Sequence, residues 1–173
     1  MRATAAARPR ALEPGLVLRP ATERDREFLL EVYGSTRSDE LALVDWSPGE
    51  KRTFLEAQFA AQDSYYREYY PGASFDVVLV DGLPAGRLHV DRWAEEIRVV
   101  DIALLAEHRE RGIGSRLLAS LMEEGAACGK SMTIHVEIFG RARSLYRRLG
   151  FVPVEDRGVY VLMKWERGPR EEG

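Results

Sequence analysis

The segment Arg109-Glu110-Arg111-Gly112-Ile113-Gly114-Ser115 carries the residue types that point most directly to chemistry. It follows a β-branched-rich run and opens an amphipathic one, so it should join a strand to the N-terminus of a helix. That end of a helix presents unpaired N–H groups and a partial positive charge. Glycines at positions 112 and 114 would let a phosphate approach this backbone closely. With the cations of Arg109, Arg111 and Arg116, the segment predicts a pyrophosphate-binding loop.

Two common nucleotide loops do not fit this segment. A Walker A loop requires Gly-Lys-Ser/Thr, and the segment contains no lysine. A dinucleotide fingerprint requires three spaced glycines near the start of the chain and an acidic residue at the end of the next strand. Here two glycines lie late in the chain, so a different pyrophosphate-bearing ligand is expected.

Three segments resemble the GNAT acetyltransferase superfamily. The pattern Arg109-x-x-Gly112-x-Gly114 is similar to the coenzyme A loop of that family, 101–105 resembles its fourth strand, and 142–151 resembles its second signature. The resemblance implies an acetyl-CoA-dependent N-acetyltransferase of α/β (α+β) class, with a central, mixed, mostly antiparallel sheet flanked by helices. Two positions depart from the pattern. Gly140 stands where an Asn often contacts the pantetheine arm, and Glu110 stands where Gly is frequent.

The resemblance also implies roles for particular residues. Main-chain groups near Leu104 and Leu105 would pair with the pantetheine amides, and the N–H groups of 111–115 would hold the pyrophosphate. The residues expected at acetyl-CoA are Leu104, Leu105, Arg109, Arg111, Gly112, Ile113, Gly114, Ser115, Arg116 and Ala142. Tyr146 would donate a proton to the departing thiolate, which acyl transfer to an amine requires. No metal is expected.

The base that takes the proton of the attacking amine has several candidates. Glu96 and Asp101 lie on the predicted fourth strand, and His89 lies on the third. Positions 96 and 101 differ by an odd number, so a regular strand would place them on opposite faces unless a bulge intervenes. Glu96 is the preferred candidate, with an exposed edge carboxylate as the alternative for either acid. For His89, and for His135 in a later strand, a structural histidine is the favoured interpretation.

By the same resemblance, the first two helices and their connection would shape the acceptor pocket. Glu40 and Trp46 are the residues expected to bind the acceptor, through charge and cation–π contact with an ammonium group. Tyr65, Tyr66, Tyr69 and Tyr70 could contribute in the same way. Their i, i+4 spacing is also typical of packed helix faces.

Hydrophobic periodicity and turn residues predict the elements that position these side chains. Helices are expected over 23–33, from the Ser47 cap to Tyr69, over 115–128 and over 141–149. Strands are expected over 16–19, 75–80, 85–90, 96–105, 132–138, from 151 and over 159–165. The stretch 35–46 is expected to be an irregular connection.

The length fits one compact domain. The resemblance makes this an acetyltransferase domain over 16–166, with disordered tails expected at 1–15 and 167–173. The net charge of −3 gives no reason to expect nucleic acid, and no apolar run is long enough to cross a membrane. Cys128 is the only cysteine, which excludes an intramolecular disulfide and fits the cytoplasm. This cysteine is expected to be a buried apolar residue. Aromatic residues around Trp46 and Tyr70 make a homodimer plausible.

Two functional hypotheses remain at this point. The first is acetyl transfer from acetyl-CoA to a primary amine, small molecule or peptide, by direct attack without a covalent enzyme intermediate. The alternative is a non-catalytic acyl-CoA-binding module that acts as a sensor or partner protein.

Overall fold

The computed structural model describes residues 8–138, 140 and 142–168 of the chain. Within these residues one sheet of eight strands has the order β1-β2-β3-β4-β5-β6-β8-β7. The strands are β1 (Arg10–Glu13), β2 (Leu16–Pro20), β3 (Ser74–Val80), β4 (Leu83–Arg92), β5 (Glu96–Leu104), β6 (Ser131–Glu137), β7 (Val152–Arg157) and β8 (Tyr160–Trp165). The α-helices are α1 (Arg26–Thr36), α2 (Ser38–Ala42), α3 (Pro48–Tyr69), α4 (Ile113–Cys128) and α5 (Ala142–Arg148). The mixed, mostly antiparallel sheet flanked by helices confirms the predicted fold class.

One pair of neighbouring strands, β5 and β6, is parallel, and the remaining pairs are antiparallel. The parallel ladder joins Glu96–Val99 to Ser131–Ile134 and ends there. Both strands continue beyond this ladder, β5 to Leu104 and β6 to Glu137. Their C-terminal ends therefore separate and leave a gap in the middle of the sheet.

A bulge in β5 lies at the start of this gap. His89 of β4 pairs with Asp101, but the next residue, Val90, pairs with Val99, so Val100 is the extra residue. A bulge reverses the alternation of side chains along a strand. Glu96 and Asp101 consequently project from the same face, which a regular strand would not allow.

Helices cover both faces of the sheet. On one face, α4 contributes Ile113, Leu117, Leu118 and Leu121 to the main core cluster, and each of these residues is at most 2% exposed. On the other face, Val32 of α1 packs against the last residues of β5, and Tyr33 packs against Phe59 of α3. No helix in the described part of the chain has the length and apolar character needed to cross a bilayer.

The N-termini of α3 and α4 differ in their capping, and this difference decides which N–H groups can bind a ligand. The start of α3 has the predicted Ser47 cap as part of a capping box, in which the Ser47 hydroxyl accepts from the Glu50 N–H (3.2 Å) and the Glu50 carboxylate accepts from the Ser47 N–H (2.8 Å). The start of α4 has no side-chain cap, because its N-cap residue is Gly112 with φ 75°. The first N–H groups of α4 therefore remain free to bind a ligand.

Three local predictions are wrong. Helix α1 continues through Gly34 to Thr36 instead of ending at the glycine, and α2 lies inside the stretch expected to be irregular. Arg10–Glu13 lies in the predicted N-terminal tail, yet it forms β1 and pairs with β2. Its backbone hydrogen bonds come from the sheet edge, which local composition does not reveal. Parts of three predicted segments lie outside the described residues. They are 1–7 of the N-terminal tail, Arg141 of the last predicted helix, and 169–173 of the C-terminal tail.

Candidate active site

A cavity of about 680 Å³ occupies the gap between the separated ends of β5 and β6. Val100–Ala103 of β5 and Ile134–Glu137 of β6 form its two sides, and α1, α2 and α3 lie over it. Ala142 and Tyr146 of α5, the preceding Gly140, and Arg157 and Tyr160 of β7 and β8 also line it. The gap thus brings residues from both halves of the sheet to a single space.

Asp101 lies in this cavity and forms a buried ion pair with Arg87 of β4. The two side chains are 17% and 4% exposed, respectively. Arg87 Nη2 also donates to Gln62 Oε1 of α3 at 2.8 Å, so three elements hold the pair in place. Burial raises the pKa of the Asp101 carboxyl, and the positive charge of Arg87 opposes that rise. A fixed carboxylate with an elevated pKa is suited to accept a proton.

Tyr146 is 4% exposed and also contributes to the lining. Its ring packs edge-on against Phe151 with centroids 5.8 Å apart, which fixes the direction of the hydroxyl. Burial raises the pKa of Tyr146, and the negative charge of Asp101 raises it further. The phenol therefore keeps its proton at neutral pH and stands near the candidate base.

Glu96, the base preferred from the sequence, does not belong to the cavity lining. Its carboxylate accepts from the Thr133 hydroxyl and lies 3.9 Å from Arg98 Nη2. Arg98 Nε in turn donates to Thr133 Oγ1 at 2.7 Å. Glu96 is thus held in a polar cluster beside the cavity, and the candidate base moves to Asp101.

The two strand histidines have different environments. His89 is 4% exposed, and neither ring nitrogen has a hydrogen-bond partner among the described residues. Burial, with a smaller contribution from Arg87, lowers the pKa of His89 to about 3, so it is neutral and buried outside the cavity. His135 lines the cavity, and burial followed by the charge of Arg98 lowers its pKa.

The predicted phosphate loop lies at the start of α4. Gly112 has the left-handed φ of 75°, and a Cβ there would meet nothing within 4 Å, so the space beside this residue is open. Ile113 is buried, whereas Gly114 and Ser115 are partly exposed. A Cβ at Gly114 would lie 3.9 Å from Leu145 of α5. The loop therefore adjoins the helix that carries Ala142 and Tyr146 into the cavity.

The arginines of this loop have separate surroundings. Arg109 Nε donates to the Leu104 carbonyl (2.9 Å) and its Nη2 donates to Ser35 Oγ (3.0 Å), which anchors the loop to β5 and α1. Arg116 forms an ion pair with Glu13 of β1. Arg111 is exposed. Within the described part of the chain, Arg111 is therefore the loop arginine without a structural contact of this kind.

Main-chain bonding corrects the expectation for Leu105. Its N–H donates to the Ala85 carbonyl (2.8 Å), and its carbonyl accepts from the His108 N–H (2.9 Å). In an antiparallel ladder, residues alternate between facing the neighbouring strand and facing away from it. Ile102 and Leu104 therefore direct their main-chain groups towards the gap. These two residues, in place of Leu104 and Leu105, are positioned to pair with an extended ligand.

Of the two residues expected to bind the acceptor, one lies in the cavity. Glu40 of α2 belongs to the lining and pairs with Arg37 at 3.1 Å. Trp46 does not, because its ring packs edge-on against Phe54 at 5.3 Å on the outer side of α3. The predicted contact of Trp46 with the acceptor has no support in this geometry.

Sequence reasoning missed Arg87 and Gln62 altogether. Gln62 lies within the sequence of α3 and Arg87 within that of β4, and neither residue belongs to a recognisable motif. An arginine in the centre of an otherwise apolar strand pattern was the available signal, because a buried arginine needs a buried acidic partner.

The segment 71–153, which holds the gap, Asp101, the loop and Tyr146, matches the family model described as an acetyltransferase (GNAT) domain. The chain therefore contains a GNAT acetyltransferase domain. A search of curated proteins gives no significant match.

Solved structures with the GNAT fold superpose over most of the chain. The PaiA N-acetyltransferase of Thermoplasma acidophilum, in complex with coenzyme A, gives a TM-score of 0.66 at 16% identity, covering 88% of this chain and 99% of that chain. An acetyltransferase from Thermus thermophilus gives 0.64 at 20% identity, covering 88% and 97%. RimL, a ribosomal-protein alpha-N-acetyltransferase solved with coenzyme A, gives 0.62 at 17% identity, covering 91% and 97%. At these identities the likeness shows a shared fold.

Proposed function

We propose that the chain transfers an acetyl group from acetyl-CoA to a primary amine by direct attack. Asp101 would take the proton of the amine, and Tyr146 would return a proton to the sulfur. The observation that carries the proposal is the cavity at the β5–β6 gap, which brings these two groups together. The GNAT domain match and the coenzyme A complexes of PaiA and RimL support acetyl-CoA as the co-substrate.

The residues at the gap and at α4 suit the cofactor. The uncapped N-terminus of α4 offers N–H groups to the pyrophosphate, and Gly112 leaves room for it. The Ile102 carbonyl and the Leu104 N–H face the gap and can pair with the pantetheine amides, while the Leu104 carbonyl accepts from Arg109. Bound in this way, acetyl-CoA supplies the thioester that is attacked.

The chemistry needs three proton movements. A protonated amine cannot attack, so Asp101 accepts its proton, directly or through one water. As the neutral amine attacks, the new C–N bond forms, the C–S bond breaks and the sulfur leaves with its electron pair. Tyr146 donates its proton to that sulfur, and the surplus proton on the new amide nitrogen restores the phenol, while the proton held by Asp101 passes to solvent. Both groups lie in one cavity. Burial raises the pKa of each, which makes the Asp101 carboxylate a stronger base and keeps the Tyr146 phenol protonated.

Direct attack is favoured over a covalent enzyme intermediate. The cysteine of the chain, Cys128, is exposed at the C-terminal end of α4 and does not belong to the cavity lining. This exposure also corrects the expectation that Cys128 is a buried apolar residue.

Calorimetric titration with acetyl-CoA tests the first half of the proposal. The wild-type protein should bind saturably, and Gly112→Glu should lose binding because its carboxylate meets the phosphates. Gly112→Ala is the matched control, since it introduces the same left-handed strain without the charge. No binding at millimolar acetyl-CoA by folded wild-type protein would overturn the proposal.

Turnover with a panel of amines tests the second half. Asp101→Asn should lower kcat by about 100-fold or more, the usual range for loss of a general base, while acetyl-CoA still binds. Acetyl-CoA binding without turnover of any amine would favour the non-catalytic module instead.

A further inference from the structure

The cavity holds most of the tyrosines of the chain. Of seven tyrosines, six belong to its lining, and they come from α1, the end of α3, α5 and β8. The seventh, Tyr69, lies on α3 and is 62% exposed. Tyrosines from four separate elements thus converge on one space, which the helical spacing of Tyr65, Tyr66, Tyr69 and Tyr70 does not explain.

Tyrosines from two of these elements line the cavity as separate groups. Tyr65, Tyr66 and Tyr70 lie at the end of α3, and Tyr160 lies at the start of β8. Tyr160 is near enough to influence the pKa of Tyr66. Tyr65 and Tyr160 are 51% and 41% exposed, so part of each side chain is available to a ligand, although the Tyr65 ring also packs against Tyr69 with centroids 4.5 Å apart.

One of these rings is held rigidly from behind. Tyr70 stacks on Trp93 with an interplanar angle of 11° and centroids 6.3 Å apart. Arg98 lies over the same Trp93 ring at 4.7 Å. A rigid aromatic surface loses little conformational entropy when a ligand packs against it.

The charges in the lining are balanced, and each acid has an arginine partner. Glu40 lies 3.1 Å from Arg37, Glu137 lies 4.0 Å from the same arginine, and Asp101 pairs with Arg87. Asp101 is already assigned to the reacting amine. Among the described lining residues, a second ammonium group on the acceptor would therefore find no unpaired carboxylate.

From these observations we infer that the acceptor is a primary amine joined by a short linker to an uncharged aromatic ring. This inference rests on the proposed function. The amine would point to Asp101, and the ring would lie between Tyr65 and Tyr160, where offset and edge-to-face aromatic contacts are favourable. A polyamine lacks the ring and carries surplus charge. An amino sugar would need free carboxylate or amide groups, and Gln62 Oε1 is already bonded to Arg87.

The test compares kcat/KM for four acceptors with the full chain and saturating acetyl-CoA. They are 2-phenylethylamine, n-hexylamine, 1,4-diaminobutane and a tripeptide with N-terminal phenylalanine. The value for 2-phenylethylamine should exceed those for n-hexylamine and 1,4-diaminobutane by about tenfold, the scale of one good aromatic contact. The tripeptide tests whether the acceptor is an aromatic polypeptide N-terminus instead of a free arylalkylamine. Whichever of the tripeptide and 2-phenylethylamine has the higher kcat/KM identifies the kind of molecule that carries the ring.

Variants assign the preference to the rings. Tyr160→Ala and Tyr65→Ala should each lower kcat/KM for 2-phenylethylamine by about 3- to 10-fold and change the n-hexylamine value by less than about twofold. Phe54→Ala, which removes an exposed aromatic ring from the same helix outside the lining, is the control and should change neither value. Equal or faster turnover of n-hexylamine or 1,4-diaminobutane would overturn the aromatic preference and leave acetyl transfer standing. No turnover of any amine, with acetyl-CoA bound, would overturn both.

Discussion

At Tyr146, burial of the ring and the charge of Asp101 act in the same direction, and both raise the phenol pKa. Tyr146→Phe removes the proton donor and keeps the packing against Phe151, so kcat should fall by about 100-fold while the Kd for acetyl-CoA changes by less than about twofold. Steady-state kinetics and calorimetry on the same preparation measure the two quantities. Tyr160→Phe removes a hydroxyl from the same cavity and serves as control. An unchanged kcat in Tyr146→Phe would remove the proposed role.

The ion pair of Asp101 with Arg87 controls the pH at which the site can work. Burial raises the pKa of Asp101 and Arg87 lowers it, so removal of the cation should raise this pKa further. A base is inactive below its pKa, and the acidic limb of the kcat/KM profile in Arg87→Gln should therefore move to higher pH, by about 1–3 units. Arg87→Lys keeps the charge, and its limb should stay within about one unit of the wild type. If the Arg87→Gln variant is folded and the acidic limb of its kcat/KM profile does not move, Asp101 is not the titrating base.

At the scale of elements, the turn before α4 contains an unusual residue conformation. Glu110 has φ 60°, a left-handed value that favours glycine, which explains why glycine is frequent at this position in the family pattern. We expect Glu110→Gly to lower the Kd for acetyl-CoA by about 2- to 5-fold, because a carboxylate beside the phosphates is removed. Its free energy of unfolding should change by less than about 1 kcal/mol, since relieved strain and the greater freedom of the unfolded chain oppose each other.

Glu110→Ala separates the two effects in that turn. It removes the charge and retains the strained L-residue, so it should show the same gain in affinity with a lower Tm than Glu110→Gly. Calorimetry and thermal unfolding of both variants measure these quantities. A gain seen with glycine alone would assign the effect to the backbone instead of to the charge.

The elements also show where sequence-based prediction worked and where it failed. The fold class, the capping box of α3 and the end of α4 at Gly129 were predictable, because local residues determine them. The position of Asp101 was not, because the bulge at Val100 depends on the register of β5 against the neighbouring β4. The pairing of β1 likewise depends on the register against β2, and Arg87 meets Gln62 only when α3 packs onto the sheet. In each case the deciding contact lies on another element and leaves no periodic pattern.

For the molecule as a whole, the gap divides the sheet into two parts. The first part is β1 to β5 and the second is β6, β8 and β7, and the ladder between them pairs only Glu96–Val99 with Ser131–Ile134. A ligand bound along Ile102 and Leu104 would connect the two parts where the ladder ends. At 100 times its Kd, acetyl-CoA should stabilise the protein by about 2.7 kcal/mol and raise Tm by about 5–10 °C. Amide hydrogen exchange should slow most at the ends of β5 and β6, since these amides gain direct partners. Gly112→Glu should show neither effect, and stabilisation spread evenly over the sheet would place the ligand outside the gap.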